Sequence, residues 1–491
     1  MDASNQLKNQ HLLWRAGFGP KADDLDKLAD RKPRSVMHAL WGSSASSVRT
    51  IDVADDSLKN MIMGGEQGMG IRRREMSADE RKAFQKEQQA AIKRLNLAWL
   101  DQMVAGEDQL REKMSLFWHG HFASRTFNIV HQQQLLDIIR RNALGHFGDL
   151  LGEVSKSGAM INFLNNNQNR KDHPNENFAR EVMELFTMGR GNYTEQDVKE
   201  AARAFTGWGA TPNGEFQFRP RQHDEGQKTV LGKTGAFDGG DVLNILLEQR
   251  ATARHISDKL YRYLVDDRPD ETRIDWLAGR FYQSHYDIKG LLEDIFHSDW
   301  FYDPGHIGSR IKSPVELLVG IRRILPMKLG NDDVQLLIQR LLGQVLFYPP
   351  NVAGWPGGLS WIDSSSLMFR LSMPQLFYGS GEIRQKPKDD DDQMMGLQSN
   401  PGPDRFGKLR SMAGGRPGQM IRAQIDWTAW LRRFDQVADD QLFPQIGAVV
   451  LQTRGGIAEG VIQHYTAAAN REELIKKMTI QLMSTPEYQL C

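Results

Sequence analysis

Apolar residues recur along most of this chain at intervals of three and four, the spacing that lines one face of an α-helix. In AAIKRLNLAWLDQM the residues Ile92, Leu95, Trp99 and Met103 fall on one stripe, and Leu110, Met114, Phe117 and Trp118 repeat the pattern shortly afterwards. The run YTEQDVKEAARAF opens with Thr194 as an N-cap candidate and Asp197 three residues later, the layout of a capping box. Strand-like signals are confined to short pieces such as GEFQFRP and KTVLG, where aromatic or β-branched residues stand between Gly and Pro. The pattern predicts a mainly α protein: one large helical domain with a small β insertion near residues 214–232.

Two segments break the period. Residues 43–80 mix Ser, Gly, Asp and Met, and residues 384–420 hold KPKDDDDQ and GGRPGQ with almost no aromatic content, so both read as disordered. The second is the expected linker, dividing a main domain over 1–383 from C-terminal helices over 421–491 that pack back on it. The run Asp389–Asp392 resembles part of a calcium loop, but no EF-hand spacing of ligands follows, and it reads as a solvated charged tract.

Composition narrows the function classes. A chain of 491 residues can bury a substantial core, and its 62 basic residues equal its 62 acidic ones, which removes the general electrostatic case for nucleic acid or an anionic membrane. The one cysteine is Cys491, so neither a disulfide framework nor a thiol nucleophile embedded in the fold is expected. As written, the opening lacks an apolar leader and no run of 18 apolar residues occurs. These features suit a soluble cytoplasmic chain without a membrane span.

Candidate chemistry begins at SLFWHGHFAS. Residues i and i+2 lie roughly 200° apart on a helix but on one side of an extended segment. Gly120 interrupts the 3.6 period and is expected to end the helix, so that His119 and His121 can chelate together; the alternative is that one is a structural cap and the other incidental. In PNENFAREVMELFTMGRG a helix is expected from near Pro174 to Gly189 or Gly191, with Asn177, Arg180, Glu181 and Glu184 on one sector and Phe178, Val182, Leu185 and Phe186 on another. The polar sector is either a solvent-facing stripe or a pair of carboxylates aimed into a polar interior, where they can divide acid and base roles or hold a cation beside Arg180. In RQHDEGQK, His223, Asp224 and Lys228 form either a polar turn or a further ligand and base.

Combined, these motifs predict a pocket in which His119, His121, Glu181, Glu184 and His223 hold a divalent or transition metal, with Glu181, Glu184, Arg180 and Asp224 as catalytic groups. The expected activity is that of a metal-dependent enzyme, by preference a hydrolase. The competing expectation is a non-catalytic binding or maturation partner of a secreted enzyme or polymer. Two further motifs read as structural: LLWRAGFGP, a glycine turn with Arg15 as an anion contact, and PPNVAGWPGG, a rigid loop able to frame a pocket with Asn351 and Trp355.

The phrases HLLWRAGFGP, FWHGHF, NENFAREVMELFTMGRGNYTEQDV, ARAFTGW, FDGGDVLNILL and FYPPNVAGWPGG, in this order, resemble the bacterial family catalogued as domain of unknown function eighteen hundred. The resemblance runs from about residue 10 to the closing STPEYQL. It implies a family and leaves the reaction open. Genes of that family often neighbour those of an alkaline-phosphatase-like family and many members carry export signals. The resemblance therefore implies an alkaline-phosphatase-like partner protein, and sets a periplasmic or secreted location beside the cytoplasmic one. Arg141, which matches a family arginine in RRNALG, is expected to pair with the Glu181 and Glu184 helix.

Overall fold

Long apolar stripes become helices, and strands occur only in pairs. The computed structural model describes residues 4–45, 47–63, 76–379, 382–383, 419–452 and 468–491, and among them it is mainly α with small two-stranded sheets. The stripe containing Trp99 is part of a helix over Ala78–Ala105, opened by a Ser77–Glu80 capping box. Thr194 and Asp197 cap Glu195–Ala204 as their spacing predicts.

The β insertion consists of two antiparallel pairs, Trp208–Ala210 with Phe216–Phe218 and Lys228–Val230 with Lys233–Gly235, so it reaches beyond both expected ends. Two more pairs join Met327–Leu329 to Ala423–Ile425 and Glu382–Ile383 to Gln419–Met420. Within the first irregular segment, Asp56–Met63 is helical. Nearly all of the expected linker, including Asp389–Asp392, lies outside the described residues.

Apolar side chains gather in two clusters. One is built around Trp118, Phe147, Phe178, Phe205 and Leu260; the other around Trp99, Val319, Phe347, Phe369 and the C-terminal residues Trp430, Leu442 and Met478. The helix Gln109–His121 lies between them, sending Leu110, Met114, Phe117 and Trp118 into the first and Leu116 into the second. Every residue of it except Gly120 is buried. A helix buried on all sides must satisfy its polar residues internally. Glu112 accepts from Arg140 Nε at 3.0 Å and from Trp99 Nε1 at 2.7 Å, while Lys113 pairs with Glu316 and donates to the Trp14 carbonyl at 3.0 Å. Among the described residues no helix is long and apolar enough to cross a membrane.

Candidate active site in a cleft between the two cores

Gly120 does not end the histidine helix, which continues through His121. Glycine in a helix costs only about 1 kcal/mol, and burial of Trp118 and His121 on either side outweighs it. The two imidazoles therefore point to different surroundings. His119 is enclosed by Trp99, Phe347 and Trp355, its Nε2 accepts the Phe347 N–H at 3.1 Å, and burial drives its pKa down to about 3. It holds in place a backbone turn in which Phe347 has φ +70°.

His121 faces the other way. Its Nδ1 lies 3.1 Å from Lys259 Nζ and its Nε2 lies 3.2 Å from the Phe186 carbonyl. Because the ammonium can only donate, the ring is the Nε2–H tautomer, giving its proton to Phe186. Burial, then the Lys259 charge and His255, hold its pKa well below the ordinary value.

The carboxylate motif starts later than expected, at Asn177, and is α-helical to Glu181 and π-helical over Val182–Thr187 before Gly189, at φ +78°. Phe178, Val182 and Phe186 are buried as the pattern requires. This helix does reach the histidine helix, but through its backbone. The last carbonyls of a helix lack intrahelical donors, and here Leu185 receives Lys259 and His255, both at 3.3 Å, while Phe186 receives His121.

The carboxylates have other partners. Glu184 accepts from Tyr193 at 2.6 Å and from Arg190, which hold its pKa down; Glu181 is raised by partial burial and then by the Glu184 charge. Arg180 bridges Glu195 and Glu176. Arg141 pairs with Glu153 at the surface, not with this helix as expected, because its place at the end of Ile129–Asn142 sets it beside the following helix. His173 is an exposed turn residue.

His223 and Asp224 sit apart again. His223 Nδ1 meets the Thr206 carbonyl at 2.9 Å, Asp224 is clasped by Arg203 at 2.7 Å, and Lys228 Nζ donates to the Gly226 carbonyl at 2.9 Å. Among the described residues no three His, Cys, Asp or Glu side chains form a metal-ligand cluster. The structure thus does not collect His119, His121, Glu181, Glu184 and His223 at one point.

What it does form is a cleft of about 490 Å³ at the seam between the cores. The end of the histidine helix supplies Phe117 and His121 and the helix Arg250–Leu264 supplies Lys259, Arg262 and Tyr263. Arg310 is a further cationic lining residue, and the Ala353–Trp361 segment closes the side with Trp355 and Trp361. The Pro/Gly loop frames a pocket as its composition predicts. Gly354, at φ +82°, packs so tightly that a Cβ there would stand 2.2 Å from the Gly120 carbonyl oxygen. Asn351 stays outside, accepting the Ala353 N–H at 2.9 Å.

Lys259 is the lining lysine whose chemistry burial changes. Burial takes its pKa from 10.5 to about 8, with Asp258 opposing the shift. Its Nζ donates to His121 Nδ1 and to the Leu185 carbonyl, and the cleft gives it access to a ligand. Sequence reasoning missed it, although the signal was present: in TARHISDKLYRYL, His255, Lys259 and Tyr263 recur every four residues beside the buried stripe of Ile256, Leu260 and Leu264.

The family model matches residues 11–490. The chain belongs to the family described as Protein of unknown function (DUF1800). No curated protein and no solved structure matches it. The family match covers both cores except Cys491, and every residue that lines the cleft.

Proposed function

We propose that the protein is an enzyme acting in this cleft, with Lys259 as the group that takes and returns a proton, and that its reaction class is hydrolysis. The observation that carries the reading is the setting of Lys259 Nζ between His121 Nδ1 at 3.1 Å and the Leu185 carbonyl at 3.3 Å. A neutral amine has two N–H groups and one lone pair. Two fixed acceptors occupy both hydrogens and leave the lone pair for a proton from water or substrate. With a pKa of about 8 the amine is neutral in about a tenth of molecules at pH 7, close to the operating range of a general base.

In a metal-dependent route through His119, His121, Glu181, Glu184 and His223, two of the imidazole lone pairs are already engaged. His119 Nε2 accepts from Phe347, His121 Nδ1 accepts from Lys259, and Glu184 accepts from Tyr193 and Arg190. This donor set does not fit one centre, so the proposed chemistry rests on the amine.

The test is turnover of ester, amide, glycoside and phosphoester reporters by wild type and by Lys259→Met. The expected result is hydrolysis of one class, with kcat/KM rising through pH 8 in wild type and lost at least a hundredfold in a variant of unchanged melting temperature. Activity that survives Lys259→Met overturns the reading. Saturable ligand binding without turnover in any class puts the non-catalytic partner in its place.

A further inference from the structure

Around the buried carboxylate of Glu316, five basic side chains are buried: Arg15, Lys113, Lys312 and Arg370 are fully enclosed and Arg310 is 4% exposed. All five feel the charge of one buried carboxylate, Glu316, which Lys113 already pairs. Cys491 adds negative charge to four of them, Asp266 acts on Arg15, and Asp267 acts on Arg310. Desolvation opposes the charged form of all five and takes Lys312 down to about 7.

Arg310 is the member of this group that lines the cleft. Its Nε and Nη1 have no hydrogen-bond partner among the described residues. Asp267 Oδ1 stands 3.8 Å from Nε, an ion-pair separation too long for a hydrogen bond, and the Tyr263 ring lies 5.1 Å from the guanidinium. The rest of the lining adds donors more than acceptors. Lys259 and Arg262 are cationic, Trp355 Nε1 is a buried N–H without a partner, and Gln344 Oε1 is engaged by the Val315 N–H at 2.9 Å. Asp267 is the one carboxylate among the lining residues.

We propose that the ligand of this cleft carries an anionic oxygen group, a carboxylate or a phosphate, seated on Arg310 at the floor. The inference deepens the catalytic reading and rests on it for the identity of the site. A buried guanidinium with N–H groups left unpaired suits an oxyanion. The aromatic walls, Phe117, Tyr263, Trp355 and Trp361, suit an apolar or ring-bearing body attached to that group.

Calorimetric titration of the full chain with inorganic phosphate and with acetate, each against chloride at matched ionic strength, tests the seat. One of the two anions is expected to bind saturably, at least tenfold more weakly in Arg310→Gln and at an intermediate level in Arg310→Lys. The stronger anion names the source. Crystals of wild type soaked in tungstate need no variant, and anomalous density within hydrogen-bond distance of Arg310 is expected. Binding no stronger than chloride, binding unchanged in Arg310→Gln, or tungstate only elsewhere overturns the proposal. The two readings fail separately: turnover indifferent to Lys259 with anion binding still dependent on Arg310 removes the catalytic reading alone, and the reverse removes the anion seat alone.

Discussion

His121 and Lys259, 138 residues apart in the chain, meet nitrogen to nitrogen at 3.1 Å with the lysine as donor. The contact fixes the imidazole tautomer, keeps the ring neutral and pins the amine over a helix end whose Leu185 carbonyl takes the lysine and whose Phe186 carbonyl takes the histidine. Neither residue would hold this position alone. The histidine is oriented by Phe186, and the lysine by the histidine and Leu185.

An amine with a pKa of about 8 is predicted to react with acylating and arylating reagents well ahead of surface lysines. At pH 7.5 it holds on the order of a hundredfold more neutral amine than a lysine near 10.4. Peptide mapping after brief labelling should find Lys259 modified first, with a half-maximal rate near pH 8. Labelling at the rate of surface lysines would show that the amine is solvated.

His119 is predicted to act through the fold. His119→Ala leaves the Phe347 N–H without an acceptor and opens a gap between Trp99, Phe347 and Trp355. The expected loss in urea unfolding is about 2–4 kcal/mol. His119→Asn, which keeps an acceptor, should recover part of it. A change below about 0.5 kcal/mol would mean that the ring is not what holds the Phe347 turn.

Particular residues show how far the chain could be read. The separation of His119 and His121 follows from the helical period, whereas the continuation of the helix through Gly120 does not. Whether Gly120 breaks a helix depends on the packing of its neighbours, which no local pattern records. The carboxylate helix was legible as a helix, yet its π turn and its use of carbonyls rather than carboxylates toward His121 depend on partners far along the chain. The loop around Trp355 was legible because Pro and Gly density is itself a conformational constraint. Arg310 was not, since a lone cation in a turn reads as solvated until the fold buries it, and Lys259 was marked only by its four-residue spacing from His255 and Tyr263.

Glu181→Gln and Glu184→Gln are predicted to be mild. Glu184 is tied to Tyr193 and to Arg190, a side chain 86% exposed, and such surface pairs are worth about 0–1 kcal/mol. Elemental analysis of wild type and both variants should show the same metal content per chain. A fall in bound metal in either variant would return these carboxylates to a metal centre.

Gly354→Ala is predicted to disturb the cleft. The residue would need φ +82° and would place a Cβ 2.2 Å from the Gly120 carbonyl oxygen, so the loop must shift. The backbone strain alone costs about 1–2 kcal/mol, and ligand affinity should fall with stability because Trp355 moves with the loop. Unchanged affinity would show that Trp355 does not shape the site.

Stability is predicted to fall in acid in two stages. His119, at about 3, and His121, well below its ordinary value, stay neutral in the folded protein, whereas in the unfolded chain each takes up a proton below about pH 6.5. The unfolded state then binds more protons, so stability is lost as pH falls from about 6.5, by about 1.4 kcal/mol per pH unit for each histidine. Glu316 is depressed to about 2 by Lys113 and then Arg310, against the opposing effect of its own burial. Its contribution is present above about pH 4.5 and is lost as pH falls toward 2, steepening the decline. Lys259 has the opposite position on the scale: folded near 8 and near 10.4 unfolded, it makes stability rise with pH between those values. Denaturant titrations at half-unit steps from pH 2 to 10 should show the acid decline, its steepening and the alkaline rise. His119→Asn should reduce the slope between pH 6.5 and 5 by about one proton, and an identical slope in that variant would mean that His119 is protonated in the folded protein.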